Sequence, residues 1–127
     1  MKLHDFVRQQ QVRMTTVWVD YNPYMEDSRG RYNWKCYLRT PKGRMQVYFT
    51  QGWPTEPEVD HVLDCLAMDV AGVENASFDE WCKDYGYSAD SRRAERTYKV
   101  ILRQRDALQR LFDSEAYETL LYHTERL

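Results

Sequence analysis

At 127 residues the chain has the length of one domain and is too short for two hydrophobic cores. A composition of 43% hydrophobic and 30% charged residues, with ten Tyr and four Trp, excludes a disordered chain. The net charge of −2 is unevenly spread: residues 1–53 hold nine basic and four acidic groups, 54–90 hold one and ten, and 91–127 hold eight and six. Such segregation favours association with a macromolecule without identifying it.

The location of the protein is predicted from its apolar runs and cysteines. No apolar run is long enough to cross a bilayer, and the amino-terminal segment lacks the apolar stretch of a signal peptide. Three cysteines form an odd set without CxxC spacing: Cys36, Cys65 and Cys82. This set argues against a disulfide framework and for a reducing compartment. We therefore predict a cytoplasmic protein.

The first elements in chain order are a short segment and a strand. Residues 1–13 place three apolar side chains at helical spacing before three glutamines, which indicates a short helix or a loose arm. Residues 14–127 are predicted to form a single α+β domain. Within it, residues 15–21 are rich in β-branched and aromatic types, as strands are. Polar residues 22–32, with Pro and Gly, are expected to form a loop.

A β-hairpin is predicted from residues 33–39 and 45–50, which alternate apolar and polar around a Thr-Pro-Lys-Gly turn. The period of two assigns six residues to the core face: Trp34, Cys36, Leu38, Met45, Val47 and Phe49. The opposite, wetter face then carries Lys35, Tyr37, Arg39, Arg44, Gln46 and Tyr48.

After the hairpin, apolar residues recur every three or four positions, which indicates helices. The first helix is predicted to begin at a capping box of Thr55 and Glu58 and to end at Gly72 in the left-handed conformation. A second capping box over residues 77–80 opens a short helix that Gly86 would end.

A third, longer helix is predicted to be capped by Ser88 or Asp90 and to reach about Phe112. Its apolar stripe comprises Ala94, Tyr98, Ile101, Leu108 and Phe112. Its opposite side gathers a basic line of Arg92, Arg96, Lys99, Arg103 and Arg110. A stop at 113–114 precedes a final helix. Because strands come first and helices afterwards, we predict an α+β fold in which a small antiparallel sheet, the hairpin plus one strand, carries three to four helices on one face.

Three charged sets are candidate binding surfaces, and each also has an ordinary structural explanation. The basic line matches the backbone of a polyanion or an acidic patch on a protein partner, or it is a solvated helix face. The hairpin face carries Lys35, Tyr37, Arg39 and Tyr48. It resembles the platforms that bind single-stranded nucleic acid, or it holds ordinary cross-strand pairs. The acidic segment carries Asp60, Asp64, Asp69 and Glu74. It presents carboxylates to a basic cleft, or it complements helix dipoles.

Signatures of catalysis or metal binding are weak. His61 and Cys65 lie four residues apart, a spacing that can chelate a metal, but no complete ligand pattern exists. Isolated cysteines are mostly small core residues. A P-loop, a GxGxxG, a GxSxG and an HExxH are all lacking from the sequence. We therefore predict a binding protein with no enzymatic activity and no cofactor.

Several sequence pieces are specific: FDEWC, DYGY and DSRRAERTY, together with NWKCYLRTPKGRMQVYFTQG before them. Through them the chain resembles, from about Thr15 to Leu121, a group of small proteins of unassigned activity encoded in bacteriophages, prophages and integrative elements. The resemblance implies an accessory protein of a mobile element. It implies no reaction and no catalytic residue.

Two functions follow from this resemblance. Small mobile-element proteins without enzymatic motifs commonly act against the host, and anti-CRISPR proteins are similar in kind though not in motif. The first hypothesis is an inhibitor of a bacterial defence complex that binds a host protein or ribonucleoprotein, with Trp53 and Tyr87 as aromatic anchors. The alternative is a nucleic-acid-binding accessory protein of phage replication or regulation. Unpaired strand edges also permit a homodimer without requiring one.

Overall fold

Three strands and five α-helices form an α+β fold in the computed structural model, which describes residues 1–125. The elements in chain order are α1 (Leu3–Gln9), β1 (Arg13–Val19), β2 (Tyr32–Thr40), β3 (Gly43–Gln51), α2 (Val59–Glu74), α3 (Phe78–Tyr85), α4 (Arg92–Leu111), α5 (Ser114–Glu118) and a π-helical turn (Thr119–His123). The predicted fold class is confirmed, with strands first and helices afterwards.

The amino-terminal segment is a helix rather than a loose arm. Leu3 and Phe6 of α1 are each 1% exposed, and both belong to the main hydrophobic core. The ring of Phe6 lies 5.3 Å from that of Phe112, the residue that caps the carboxyl end of α4. The amide of Glu125 donates to the carbonyl of Met1 at 2.7 Å, so both ends of the described chain meet.

The sheet has the order β1-β2-β3, and both pairs are antiparallel. The predicted hairpin is confirmed, whereas the strand predicted at 15–21 spans Arg13–Val19 because its pairing with β2 starts at Arg13 and ends at Val19. Four of the six side chains predicted for the core face are buried: Cys36, Leu38, Met45 and Val47. The other two, Trp34 and Phe49, are half-buried. Helices pack on this inner face, where α2 and α4 supply much of the core.

The loop between β1 and β2 is fixed to one end of the sheet by Asn33, which is fully buried. Its amide nitrogen donates to the carbonyls of Ser28 at 2.9 Å and Arg31 at 3.1 Å. Its amide oxygen accepts from the hydroxyl of Thr50 at 2.7 Å. The loop therefore covers only this end of the outer face, and it brings the ring of Tyr24 close to β3.

The start and end of α2 both differ from the sequence prediction. The helix begins at Val59, and its cap residue makes no side-chain capping bond, so the Thr55 capping box is wrong. Pro57 explains the later start, because a residue that precedes proline is disfavoured in the helical conformation. Gly72 lies inside the helix and does not end it. A Cβ at Gly72 would lie 2.5 Å from the hydroxyl of Tyr85, so this glycine leaves room for α3.

The later helix ends follow local capping chemistry. Ser77 caps α3 and Gly86 ends it with φ of 75°, as predicted. The cap of α4 is Ser91, whose hydroxyl accepts from the amide of Ala94, so the predicted caps Ser88 and Asp90 are wrong. The amide of Ser91 itself bonds to the carbonyl of Ser88, and this turn delays the helix start.

Candidate functional site

The outer face of the sheet carries one sign of charge. The three strands contain no acidic residue, and their four basic residues share the face opposite the buried Cys36 and Leu38. These four are Arg13, Lys35, Arg39 and Arg44. This face is therefore a positively charged surface between the loop at one end and the hairpin turn at the other.

Three arginines form one row across the sheet, here called the arginine row. Arg13 pairs with Arg39 in β2, and Arg39 pairs with Arg44 in β3. Strands lie about 4.8 Å apart, so the row spans about 10 Å. All three are exposed, and among residues 1–125 none forms an ion pair. Because like charges placed opposite each other destabilise a sheet, the row costs stability that an anionic ligand would restore.

Aromatic rings lie beside the arginine row. The ammonium nitrogen of Lys35 lies 5.5 Å from the ring centre of Tyr37 and 5.7 Å from that of Tyr48, within cation–π range. A hydrogen bond with Tyr37, followed by charge interactions with Tyr37 and Tyr48, raises the pKa of Lys35. Tyr37 is 39% exposed. The lysine therefore stays charged and holds two rings beside a surface that solvent reaches.

The structure thus brings together all four residues predicted for the hairpin face: Lys35, Tyr37, Arg39 and Tyr48. It also adds Arg13, which sequence analysis missed. The alternation within the hairpin identifies the first four residues, whereas Arg13 joins them only through the register of β1 against β2. Together with Arg44, these residues form what we call the platform.

A groove of about 610 Å³ runs between β3 and α4 at the edge of the platform. The two elements meet at the hairpin turn, where the hydroxyl of Thr40 donates to the carbonyl of Leu111 at 2.7 Å. Six aromatic side chains line the groove: Tyr24, Tyr48, Phe49, Trp81, Tyr85 and Tyr87. Its polar and charged lining includes Gln46, Asp69, Arg103, Gln104 and Arg110.

The basic line predicted on α4 is exposed, but its residues have different neighbours: two of them form ion pairs and two line the groove. Arg96 lies 2.5 Å from a carboxylate oxygen of Glu26, and Lys99 lies 2.8 Å from Glu95. The other end of the line, Arg103 and Arg110, lines the groove, and Arg92 is at the start of the helix. The line and the platform meet near the hairpin turn, because a Cβ at Gly43 would lie 3.2 Å from the carbonyl oxygen of Arg110.

The four acidic residues predicted as a partner surface do not form one patch. Asp60 lies 3.3 Å from the ring nitrogen of His4, and Glu74 lies 3.5 Å from Arg105. Asp64 is only 8% exposed and is engaged within the fold. Asp69 lines the groove on another side of α2. Neighbouring positions in sequence therefore lie in different surroundings in the structure.

Replacing Asp69 is expected to stabilise the protein in a pH-dependent way. Burial raises the pKa of Asp69 to about 6, although the residue keeps solvent access through the groove. Ionised Asp69 therefore destabilises the fold, and this penalty grows from about pH 4 to pH 6 and is constant above. We expect Asp69→Asn to raise the free energy of unfolding at neutral pH by about 1 kcal/mol, a figure reduced because solvent screens the exposed carboxylate. At pH 4 the substitution should change the free energy of unfolding little.

Urea denaturation at about pH 7.5 and pH 4 measures this effect. The exposed Asp90→Asn variant is the matched control and should leave stability nearly unchanged at both pH values. An equal gain at both pH values for Asp69→Asn would contradict the expectation.

The two predicted aromatic anchors have different surroundings. Trp53 is 51% exposed, and its ring lies 5.9 Å from that of His61. Tyr87 is half-buried, because it stacks on Trp81 with centroids 5.0 Å apart and planes 9° apart. It belongs to the wall of the groove rather than to a free loop. Sequence analysis missed Tyr24 and Tyr85, which are each 55% exposed at the groove.

The cysteines and His61 occupy packed positions. Burial raises the pKa of the Cys36 thiol to about 12 and also raises the pKa of Cys65 and Cys82. Because the thiolate is the reactive form, these thiols are poor nucleophiles. The ring of His61 packs edge-on against Phe49 at 5.3 Å. Within residues 1–125, no group of three or more His, Cys, Asp or Glu side chains is placed to hold a metal ion.

Comparison with known proteins gives no further guide to the site. The chain matches no family model, and searches of curated proteins and solved structures found no match. In the described part of the chain, no helix combines the length and apolar character needed to span a membrane.

Proposed function

We propose that this protein binds single-stranded nucleic acid on the platform. The arginine row carries this proposal: three aligned cations on strands without acidic residues, next to Tyr37 and Tyr48. Proteins that bind single strands combine cations that follow the phosphates with rings on which bases stack. The platform has both components on one face.

The geometry favours a single strand over a duplex. Bases within a duplex already stack on each other, so exposed rings on a sheet gain little from them. The platform is about 10 Å wide and its nine-residue strands are about 30 Å long. This surface suits a segment of about four nucleotides whose backbone follows the arginine row from β1 towards β3.

The proposed setting is the cytoplasm of a bacterial host, where the protein would serve phage replication or regulation. The pieces FDEWC, DYGY and DSRRAERTY, and the resemblance based on them, support this setting. The other hypothesis, an inhibitor that binds a host defence complex through protein contacts, stays a prediction, as does a homodimer. Nucleic-acid binding ranks first because the platform is continuous while the predicted acidic surface is dispersed.

Fluorescence anisotropy with labelled single-stranded DNA and RNA of about 12 nucleotides tests the proposal. We expect micromolar affinity at about 50 mM salt, and a plot of log K against log salt with a slope of about −3, which corresponds to four phosphate contacts. A duplex of the same sequence should bind more weakly. No detectable binding of either single strand at low salt would overturn the proposal.

A further inference from the structure

We propose that the groove between β3 and α4 receives one base of the bound strand and thereby gives the protein a base preference. This inference rests on the proposed function, because the platform would deliver the strand to the groove. It assigns base selection to the groove and electrostatic affinity to the arginine row.

The position of the groove supports this assignment. Gln46 and Tyr48 share the outer face of β3 with Arg44, and both also line the groove. A strand that crosses the platform from β1 towards β3 therefore reaches the mouth of the groove directly. At the far wall, the exposed Arg103 and Arg110 of α4 can contact the phosphates that flank an inserted base.

The walls of the groove suit a flat aromatic ligand. Tyr87 lines the groove and is half-buried, with one face stacked on the buried Trp81, and Tyr24 and Tyr48 line it with ring centroids 5.8 Å apart. The volume of about 610 Å³ lies within the range of sites for nucleotide-sized ligands. Rings of this kind bind a base through its π-face whatever its identity, so stacking supplies affinity rather than selection.

Selection requires polar groups that read the edge of a base, and the groove contains them. The amides of Gln46 and Gln104 each offer a donor and an acceptor, and Asp69 offers a carboxylate. The amide oxygen of Gln104 is buried without a hydrogen-bond partner among residues 1–125. An unpartnered buried acceptor costs free energy, and a donor on an inserted base would relieve that cost after a small side-chain rotation.

The charge around the groove favours a nucleotide over a peptide as its ligand. The two arginines at the rim form no ion pair among residues 1–125, and the neighbouring platform is basic. An anionic ligand with a planar aromatic group satisfies both the rim and the walls. A nucleotide unit carries both groups at once, whereas an acidic peptide supplies only the charge.

Two measurements test the inference. Anisotropy with dA, dC and dT homopolymers of about 12 nucleotides should show at least a fivefold preference for one base. NMR titration of the labelled protein with AMP, CMP, GMP and UMP should shift the side-chain amide of Gln104, with one nucleotide binding most tightly. Thr97→Trp, at a half-buried position that lines the groove, should remove both the preference and the shifts.

A second variant tests the inference without filling the groove as Thr97→Trp does. Arg103→Gln should weaken binding of the preferred nucleotide about five- to tenfold, since it removes a charge-assisted contact to phosphate. Arg93→Gln on the same helix does not line the groove, and it should change this affinity less than twofold.

The outcomes separate the two proposals. Homopolymers that bind equally well, together with nucleotides that shift no groove resonance, would overturn the inference and leave the platform intact. Nucleotide shifts at the groove without any binding of polymers would overturn the platform and, with it, base selection from a bound strand, and would leave only a mononucleotide site. An acidic peptide that shifts the same resonances at lower concentration than any nucleotide would identify the groove as a peptide site and overturn the inference.

Discussion

Replacing Arg13, Arg39 and Arg44 together by glutamine is expected to weaken binding of single-stranded nucleic acid at least about 100-fold at low salt. Each arginine that contacts a phosphate contributes about one unit to the salt dependence, so the slope should become shallower by about two to three. Anisotropy across a salt series measures both quantities. The stacking surface of Tyr37 and Tyr48 remains in this variant, so weak binding with little salt dependence should persist.

The same triple variant should become more stable than the parent protein. The arginines stand opposite one another in neighbouring strands, and removing like charges from such pairs is worth a few tenths of a kcal/mol each, or about 0.5–1 kcal/mol in total. Urea denaturation measures this change. Lower affinity with higher stability is the signature of a binding surface, because a misfolded variant would lose both.

A control variant with the same change in net charge replaces Arg92, Arg93 and Arg96, at the amino-terminal end of α4, by glutamine. These residues are exposed and do not line the groove. We expect less than a threefold loss of affinity. If this control weakens binding as much as the platform variant does, the protein attracts nucleic acid by overall charge or through α4, and the arginine row has no special role.

Sequence alone was sufficient for elements whose information is local. The alternation of the hairpin predicted its faces, and the cap at Ser77 with the glycine at Gly86 predicted both ends of α3. Prediction failed at the ends of α2, where Pro57 and the packing of Tyr85 on Gly72 override the capping signals. Packing between elements cannot be read from one segment.

The candidate site was predicted only in part for the same reason. The arginine row needs the register of β1, and the groove combines residues from β3, α2, α3 and α4. The acidic prediction illustrates the converse error. Asp60 and Asp69 are nine residues apart on one helix, so they point in opposite directions at 100° per residue. Acidic residues that are close in sequence therefore suggested one surface, whereas the helix places them on different sides.

A substitution in the amino-terminal helix α1 is expected to have the other large effect, a loss of stability. Phe6→Ala should lower the free energy of unfolding by about 3–5 kcal/mol, because the side chain is 1% exposed and its loss leaves a cavity against Phe112. Arg8→Ala on the exposed side of α1 is the matched control. Its only ion pair in the described chain is the surface contact with Asp5, so a change of about 0.5 kcal/mol or less is expected.

Phe6→Ala also tests how α1 is coupled to the platform. Val12 is buried directly before Arg13, so the packing of this segment fixes where the arginine row begins. We therefore expect the variant to lower affinity for single-stranded nucleic acid a few-fold under conditions in which it remains folded, while Arg8→Ala has a smaller effect. A loss of stability below about 1 kcal/mol would instead show that residues 1–13 are an appendage, as the loose-arm prediction had it.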